Sequence, residues 1–566
     1  MRVGIRVAFA VAALAMVGWD LPSSFSWEND GVAPRDIFAG VSENLHPGHA
    51  FRYPLLAPLA LGLLCLPVLL PAALRAPSFR FDDLRAAILD PQVMTACALI
   101  GRLAAIAAAL VALASLGRIA ARLGGARAAR WAEALAATNL SFVYYGRATN
   151  LDGIALMWSV LAVEQLVIAC VSGRRRPALL CAALAAAAVA TKDQSYATFV
   201  LLFPIVAVVA WWQPSAIAEG VRTRATLLRA GGVFVAVYAV ASGAAFNPGG
   251  FVTRVRTLAG PASGDYRAYQ HNAAGLLANL GDVLRAQAET FWPWPAVILA
   301  WAGVALAVRA VVRRRQTPLA LFPLAAAIGC LVFFVLAVGR TEHRFVLPLG
   351  FWLSLYAGLA ASALCAAAPR IGRTVTIALF AWSTLPPLAL GITQRRDGRR
   401  AVETWLRQQP PGTTVETYGP LVYLPRFDPH ASYHATRVGL DPVDRRNPMA
   451  AMAEAEDSIG NLARRSPDVL IITEGFALPY MAEPPANGRS FPPLWQQARD
   501  DHATTQLIRD AVAGTLDGYQ LCFAAAPVLP VPFAALGLSP PRIHVSTGMR
   551  TWVLARYHSP ARCPSR

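Results

Sequence analysis

The sequence predicts an α-helical polytopic membrane protein that ends in a small α/β domain, and three observations predict it. Hydrophobic residues make up 56% of the 566 residues and charged ones 15%, with a mean hydropathy of +0.44; ordinary soluble domains run near 45–50% apolar and about 25% charged. Apolar runs recur as far as residue 392, and arginine clusters fall in every second gap between them. Beyond 392 the chain turns polar and proline-rich, with short strand-like runs. This composition excludes a soluble cytosolic enzyme, a disordered chain and a disulfide-stapled mini-protein.

The first apolar run, 3–19, follows Arg2 and Arg6. No small-residue cleavage site closes it, so it reads as a first span and not as a signal peptide. Further runs lie at 54–74, 94–117, 131–145, 153–171, 178–190, 197–212, 227–246, 294–312, 319–338, 345–368 and 374–392. Arg118, Arg122, Arg127 and Arg130 form one cluster, and Arg174, Arg175 and Arg176 the next. Arg222, Arg224 and Arg229 follow, then Arg309 and Arg313 to Arg315, then Arg370 and Arg373. Positive loops stay in the cytoplasm. The gaps 20–53, 146–152, 191–196, 247–293, 339–344 and everything after 392 are then external.

One run breaks the parity. If 54–74 crossed the membrane, the arginines of 118–130 would face outward. Pro54, Pro58, Pro67 and Pro71 interrupt that run, and proline breaks helices. The expectation is a re-entrant or juxtamembrane pair on the outer side, leaving about eleven spans with the amino end in the cytoplasm. The net charge of +18 and pI near 10.2 do not signal nucleic acid, because the arginines flank apolar runs and form no basic face. The arginine-, alanine- and proline-rich usage resembles that of a GC-rich bacterial genome, which places the chain in a bacterial inner membrane.

Residues 1–392 therefore form a membrane domain with its first external loop at 20–53, and 393–566 a periplasmic α/β domain. In the latter, 413–419, 468–473 and 551–557 read as strands, and 397–408 and 449–465 as helices. It has no glycine-rich phosphate loop and no metal-ligand cluster. Six cysteines lie in or beside apolar runs, as small core residues do. Cys522 and Cys563 lie in the tail and can pair if it faces an oxidising compartment.

The external gaps hold the chemistry. "WENDGVAPRD" (27–36) packs Glu28, Asp30, Arg35 and Asp36 together, and "ENLHPGHAFRYP" (43–54) adds His46, His49 and Arg52. "YYGRATNLDG" (144–153) carries Arg147 and Asp152. "TKDQSY" (191–196) carries Lys192, the only lysine of the chain. Where every other cation is arginine, a retained lysine points to a site that needs a compact ammonium instead of a planar fork. "GRTEHRFVLP" (339–348) adds Arg340, Glu342, His343 and Arg344. Each cluster also has a plain structural reading as an interfacial ion-pair group. A transporter places its ionisable groups near mid-bilayer, whereas these four sit at span ends on one side.

In this arrangement the chain resembles the GT-C superfamily of integral-membrane glycosyltransferases, and within it the protein O-mannosyltransferases and the aminoarabinose transferase of lipid A. That family has a cytoplasmic amino terminus, one span and an external loop with an acidic motif, a place held here by "WENDGVAPRD". "GRATNLD" (146–152), the Thr191–Lys192 turn and "EHRFVLP" (342–348) follow in family order. The resemblance covers about residues 1–392. It implies inverting transfer of a hexosyl or pentosyl sugar from a polyprenyl-phosphate donor to a lipid, glycan or protein acceptor at the periplasmic face. By position Asp30 is the catalytic base. The family often has adjacent acids, whereas Asn29 separates Glu28 from Asp30, so Glu28 and Asp36 remain rivals. Arg147, Lys192 and Arg344 would hold the lipid phosphate, with Asp152 and His343 beside them and Arg340 and Arg52 further candidates. No cofactor and no metal ligands are expected. The competing classes are a transporter or flippase of a lipid-linked precursor, and a membrane scaffold whose tail binds an envelope partner.

Overall fold

The computed structural model describes residues 2–22, 27–28, 31–32, 34–260, 264–288, 294–428, 430–439, 452–544 and 546–564. Among them, nine helices are long and apolar enough to cross a membrane. The chain is a multi-pass helical protein with a small α/β domain after the last membrane helix.

The helix ends sort into two sets. Arg2 and Arg6 donate to Glu133 at 2.7 and 2.8 Å, and Arg118 pairs with Glu164 at 2.6 Å. Gln316 donates to the Leu123 carbonyl, and Gly173 packs against Ala218 and Gly220. The arginine-rich turns 118–130, 172–176, 218–224 and 313–317 thus gather at one end of the bundle. The segments 20–22 and 27–28 and those at 147–152, 191–196, 243–254 and 338–346 gather at the other, through the contacts described below. Helix Pro91–Thr138 contains two legs folded back at Gly125, whose φ of 79° suits glycine alone among common residues.

The run expected to break into a pair is instead one helix, Leu56–Leu74, running through Pro67 and Pro71. Each proline forfeits a backbone bond. The run is apolar throughout, however, and apolar surroundings penalise open backbone more than a weakened helix. It lies along residues 94–101: the Cys65 thiol approaches the Cys97 carbonyl at 3.9 Å, and Leu61 flanks Gly101. That stretch is at the end of the bundle opposite the arginine turns.

Among the described residues the tail holds one six-stranded sheet: β1 Thr414–Tyr418, β2 His434–Gly439, β3 Ala453–Glu456, β4 Val469–Thr473, β5 Tyr519–Ala525 and β6 Thr551–Arg556, in the order β3-β2-β1-β4-β6-β5. β1 pairs in parallel with β2 and β4, and β6 lies antiparallel between β4 and β5. β1, β4 and β6 match the strand-like runs of the sequence. The expected helix 449–465 is corrected among the described residues: Ala453–Glu456 is a strand, and helix covers a 3-10 turn Ile459–Asn461 and the α-helical Leu462–Arg465, while 449–451 lie outside the described residues. Arg437 of β2 pairs with Glu454 at 3.0 Å and holds that edge. Cys522 and Cys563 form a disulfide.

Tail and bundle are tightly joined. Trp27 is fully buried, its indole donating to the Leu424 carbonyl at 2.8 Å and its ring lying 3.9 Å from the Arg399 guanidinium. Arg399 pairs with Asp397 at 2.8 Å and donates to the Ser546 carbonyl at 2.7 Å. The last candidate span begins with helix Pro369–Ser383 and continues through helix Leu385–Arg395, whose end lies just past the boundary expected at 392.

Candidate functional site

The site is built from chain ends of helices. Helix Arg175–Thr191 stops at Lys192, whose extended backbone (φ −148°, ψ 117°) turns the side chain away from the helix axis. Asn150 caps helix Leu151–Ser172, its side-chain oxygen accepting from the Asp152 N–H at 2.8 Å. The cap fixes Asp152 in the first turn, and there it pairs with Lys192. A third segment, 339–346, turns at Gly339 (φ 65°). Its Glu342 carboxylate bridges Arg340 and Arg344, the latter at 2.6 Å. Arg340 lies 4.7 Å from the Tyr266 ring, and Arg344 lies 4.6 Å from Phe345.

These three segments meet. Lys192, Asp152 and Arg344 line one cleft with Gln194, Phe334 and Phe345. Glu342 lies within electrostatic reach of both Lys192 and Asp152. Burial raises its carboxyl above the usual range, against the opposing pull of Arg340 and Lys192. Among the described side chains, Asp152 and Glu342 answer Lys192, Arg340 and Arg344 here. The cleft has apolar walls below and cations at its rim, which suits an anion on an apolar tail.

The tail supplies further groups. Tyr423 and His544 stack with ring centroids 6.4 Å apart. Burial pushes the Tyr423 hydroxyl up to about 12, with Glu342 adding to the shift. Burial lowers His343 to about 4. His544 falls to about 3, through burial first and then the positive field of Arg344, His343, Arg340 and Arg399. Burial also lowers Arg344, to about 10.

Other predicted residues lie elsewhere. Glu28 is buried, paired with Arg102 at 2.8 Å, and accepts from the Thr149 N–H and hydroxyl at 2.8 and 3.0 Å. Arg102 also pairs with Asp20 at 2.6 Å. Arg147 is 1% exposed, donating to the Met16 carbonyl at 3.1 Å and to Gln394 at 2.5 Å. Asp36 is buried in the first turn of helix Pro34–Leu45. The Arg52 side chain is exposed, 5.4 Å from the Tyr53 ring. Its carbonyl accepts from Arg254, which pairs with Asp193 next to Lys192. Asp30 lies outside the described residues. Its neighbours do not: Glu28 is bonded to Thr149, and Gly31 forms an antiparallel bridge with Asn150. The acidic loop is therefore tied on both sides of Asp30 to the turn that presents Asp152 to Lys192.

The sequence pointed to Arg340, Arg344 and Lys192 but gave no part to Glu342, although it stands in the same motif. Tyr266, Tyr423 and His544 sit in no motif, and only the fold brings them near. Among the described residues, no group of three or more His, Cys, Asp and Glu is placed to hold a metal ion.

No family model matches the chain, and no curated protein does. Solved structures are similar to it. ArnT from Cupriavidus metallidurans, bound to undecaprenyl phosphate, aligns over 100% of this chain and 99% of its own, at 15% identity and a TM-score of 0.44. The oligosaccharyltransferase of Archaeoglobus fulgidus, in its apo form, covers 98% of this chain and 88% of its own, at 11% identity and a TM-score of 0.46. The same archaeal enzyme, AglB, with an inhibitory peptide and a dolichol-phosphate, aligns over the same shares at a TM-score of 0.41. Likenesses this distant decide neither family nor activity, which rest on the residues themselves.

Proposed function

We propose that the chain is a GT-C-type membrane glycosyltransferase that moves a sugar from a polyprenyl-phosphate donor to an envelope acceptor. The observation that carries this reading is the meeting of Lys192 and Arg344 at one cleft, with Arg340 joined to Arg344 through Glu342, and with the acidic loop fastened beside it where Glu28 meets Thr149 and Gly31 meets Asn150. The polyprenyl tail lies along the apolar bundle, and the phosphate sits among the three cations. The acceptor hydroxyl attacks the anomeric carbon from the face opposite the phosphate, a carboxylate takes the hydroxyl proton, and the sugar–phosphate bond breaks with its electron pair. Polyprenyl phosphate leaves with added negative charge, which the cations stabilise. The anomeric configuration inverts.

Asp30 is the proposed base, with Asp36 its rival. Glu28, held by Arg102 and Thr149, positions the loop. Arg147, spent on Met16 and Gln394, braces the first helix against the last. The proposed setting is a bacterial inner membrane with the site facing the periplasm. Two features support it: arginine-rich turns gather at the opposite end, and the tail carries a disulfide, which suits an oxidising compartment.

The test reconstitutes the purified chain with a labelled polyprenyl-phosphate sugar and an extract of envelope acceptors. Wild type yields a glycosylated product. Asp30→Asn abolishes transfer yet still binds donor, while Lys192→Arg, which keeps the charge but not the shape, loses donor binding by roughly tenfold or more. Movement of the lipid across vesicles with no covalent product overturns the reading in favour of a transporter.

A further inference from the structure

From Phe523 to Leu538 the tail reads "FAAAPVLPVPFAALGL", sixteen residues without one polar side chain. A soluble domain normally buries such a run. Here Val528, Val531 and Leu536 are 68%, 80% and 66% exposed, more than any other large apolar side chain described between 398 and 564. The segment leaves β5 at Ala525 and makes a short helix, Val531–Ala535.

Its position says what covers it. A side chain at Gly398 would meet the Ala525 carbonyl at 2.5 Å, and Gly548 touches both Pro527 and Thr393. Arg396 donates to the Val528 carbonyl at 3.2 Å. Thr393 and Arg396 stand at the end of helix Leu385–Arg395, the closing segment of the last candidate span, whose Leu388 is 55% exposed. Leu388 and Arg396 are separated by about 12 Å of helix rise. The exposed apolar segment therefore lies beside the end of that helix, one to two turns beyond its exposed Leu388. Arg395 and Arg396 lie where arginine stems run along apolar surface and their heads reach phosphates.

We infer that residues 527–538 form a membrane-insertion loop, its apolar side chains seated in the headgroup–acyl boundary of the leaflet beside the last helix. Short apolar elements of this kind sit about 5–10 Å deep. The loop gives the tail a second attachment to the bilayer besides its covalent link at 395–398, and so limits its tilt over the cleft. This rests on the membrane bundle alone and holds whatever the bundle catalyses.

The test uses full-length chain in phosphatidylcholine–phosphatidylglycerol nanodiscs. Val531→Cys is labelled with an environment-sensitive fluorophore; the described free cysteines are buried and the remaining two are disulfide-bonded, so the new thiol reacts selectively. Asp517→Cys, on the exposed turn before β5, is the control. The label at 531 is expected to be quenched several-fold more by nitroxide-bearing lipid than by aqueous iodide, and the label at 517 the reverse. Iodide quenching at 531 equal to that at 517 overturns the inference. So does shielding at 531 from both quenchers, which marks a second copy of the chain as the cover.

Discussion

At the scale of single residues, the rim of the cleft joins permanent cations to groups that resist charging. His343 and His544 lie among Arg340, Arg344 and Arg399. An unfolded chain would protonate both near pH 6.5. The folded chain keeps them neutral down to about 4 and about 3. Between those limits the unfolded state binds more protons, so stability rises with pH. The contribution is present in full above about 6.5 and is lost as pH falls through 4 towards 3. Thermal unfolding of His544→Gln, followed from pH 7 to 4, should fall less steeply than wild type. An unchanged slope would mean that this histidine plays no part. Glu342 works in the opposite direction, since its raised carboxyl favours the folded state as pH drops, and comparing the variant with wild type cancels it. Residue identity was also where the sequence spoke most clearly about chemistry. Lys192 stood out as the lone lysine, and it does sit at the cleft. Arg147 and Glu28 shared its side of the membrane but not its pocket, because an arginine pattern reports sidedness and says nothing of depth. Arg102, which holds Glu28, and Asp20, its other partner, went unremarked, although an arginine inside an apolar run such as 94–117 is itself a signal of a buried partner.

At the scale of elements, the bundle depends on helices that touch backbone to backbone. A Cβ at Gly358, in helix Leu347–Ala367, would lie 2.5 Å from the Ala132 N and 2.7 Å from the Ala128 carbonyl. Neither is the tip of a flexible side chain, so the helices must part. Gly358→Ala should cost about 1–3 kcal/mol, the usual range for overpacking, read as a lower melting temperature in detergent. Gly231→Ala, in helix Arg224–Ala241 with nothing within 4 Å, should be neutral or slightly stabilising. Hydropathy located the elements well, since burial in lipid demands apolar length above all. It failed where local propensity and surroundings disagree. Prolines at 67 and 71 suggested a broken segment, but an all-apolar setting kept the helix whole. Residues 453–456 looked helical by composition and became an edge strand because β2 was there to pair with them, a tertiary effect that no local window contains.

At the scale of the whole molecule, the tail is held shut by Cys522–Cys563, which closes a loop of 41 residues. By the chain-entropy account a loop of that length contributes about 4 kcal/mol. Reduction should therefore lower the tail's unfolding transition by several degrees while leaving the helical signal of the bundle in place, as followed by circular dichroism with and without reductant. The fold class was legible because two solvents, lipid and water, sort a sequence into two compositions. The candidate cleft was legible only in part: Lys192, Asp152, Arg340 and Arg344 stand in motifs near helix ends, whereas Tyr423 and His544 arrive from a domain whose docking leaves no local trace.

Trp27 belongs to the first turn beyond the opening helix, yet its indole is clasped by Leu424 and Arg399, almost four hundred residues later. The rivet ties the tail's presence to the placement of Trp27 and of Glu28 next to it. Cutting the chain after the last helix would thus unfasten the amino-terminal loop as well as remove a domain, and an inactive truncation would not show that the tail reads the acceptor. Separating the two roles calls for substitutions on the tail's outward surface that leave this clasp intact.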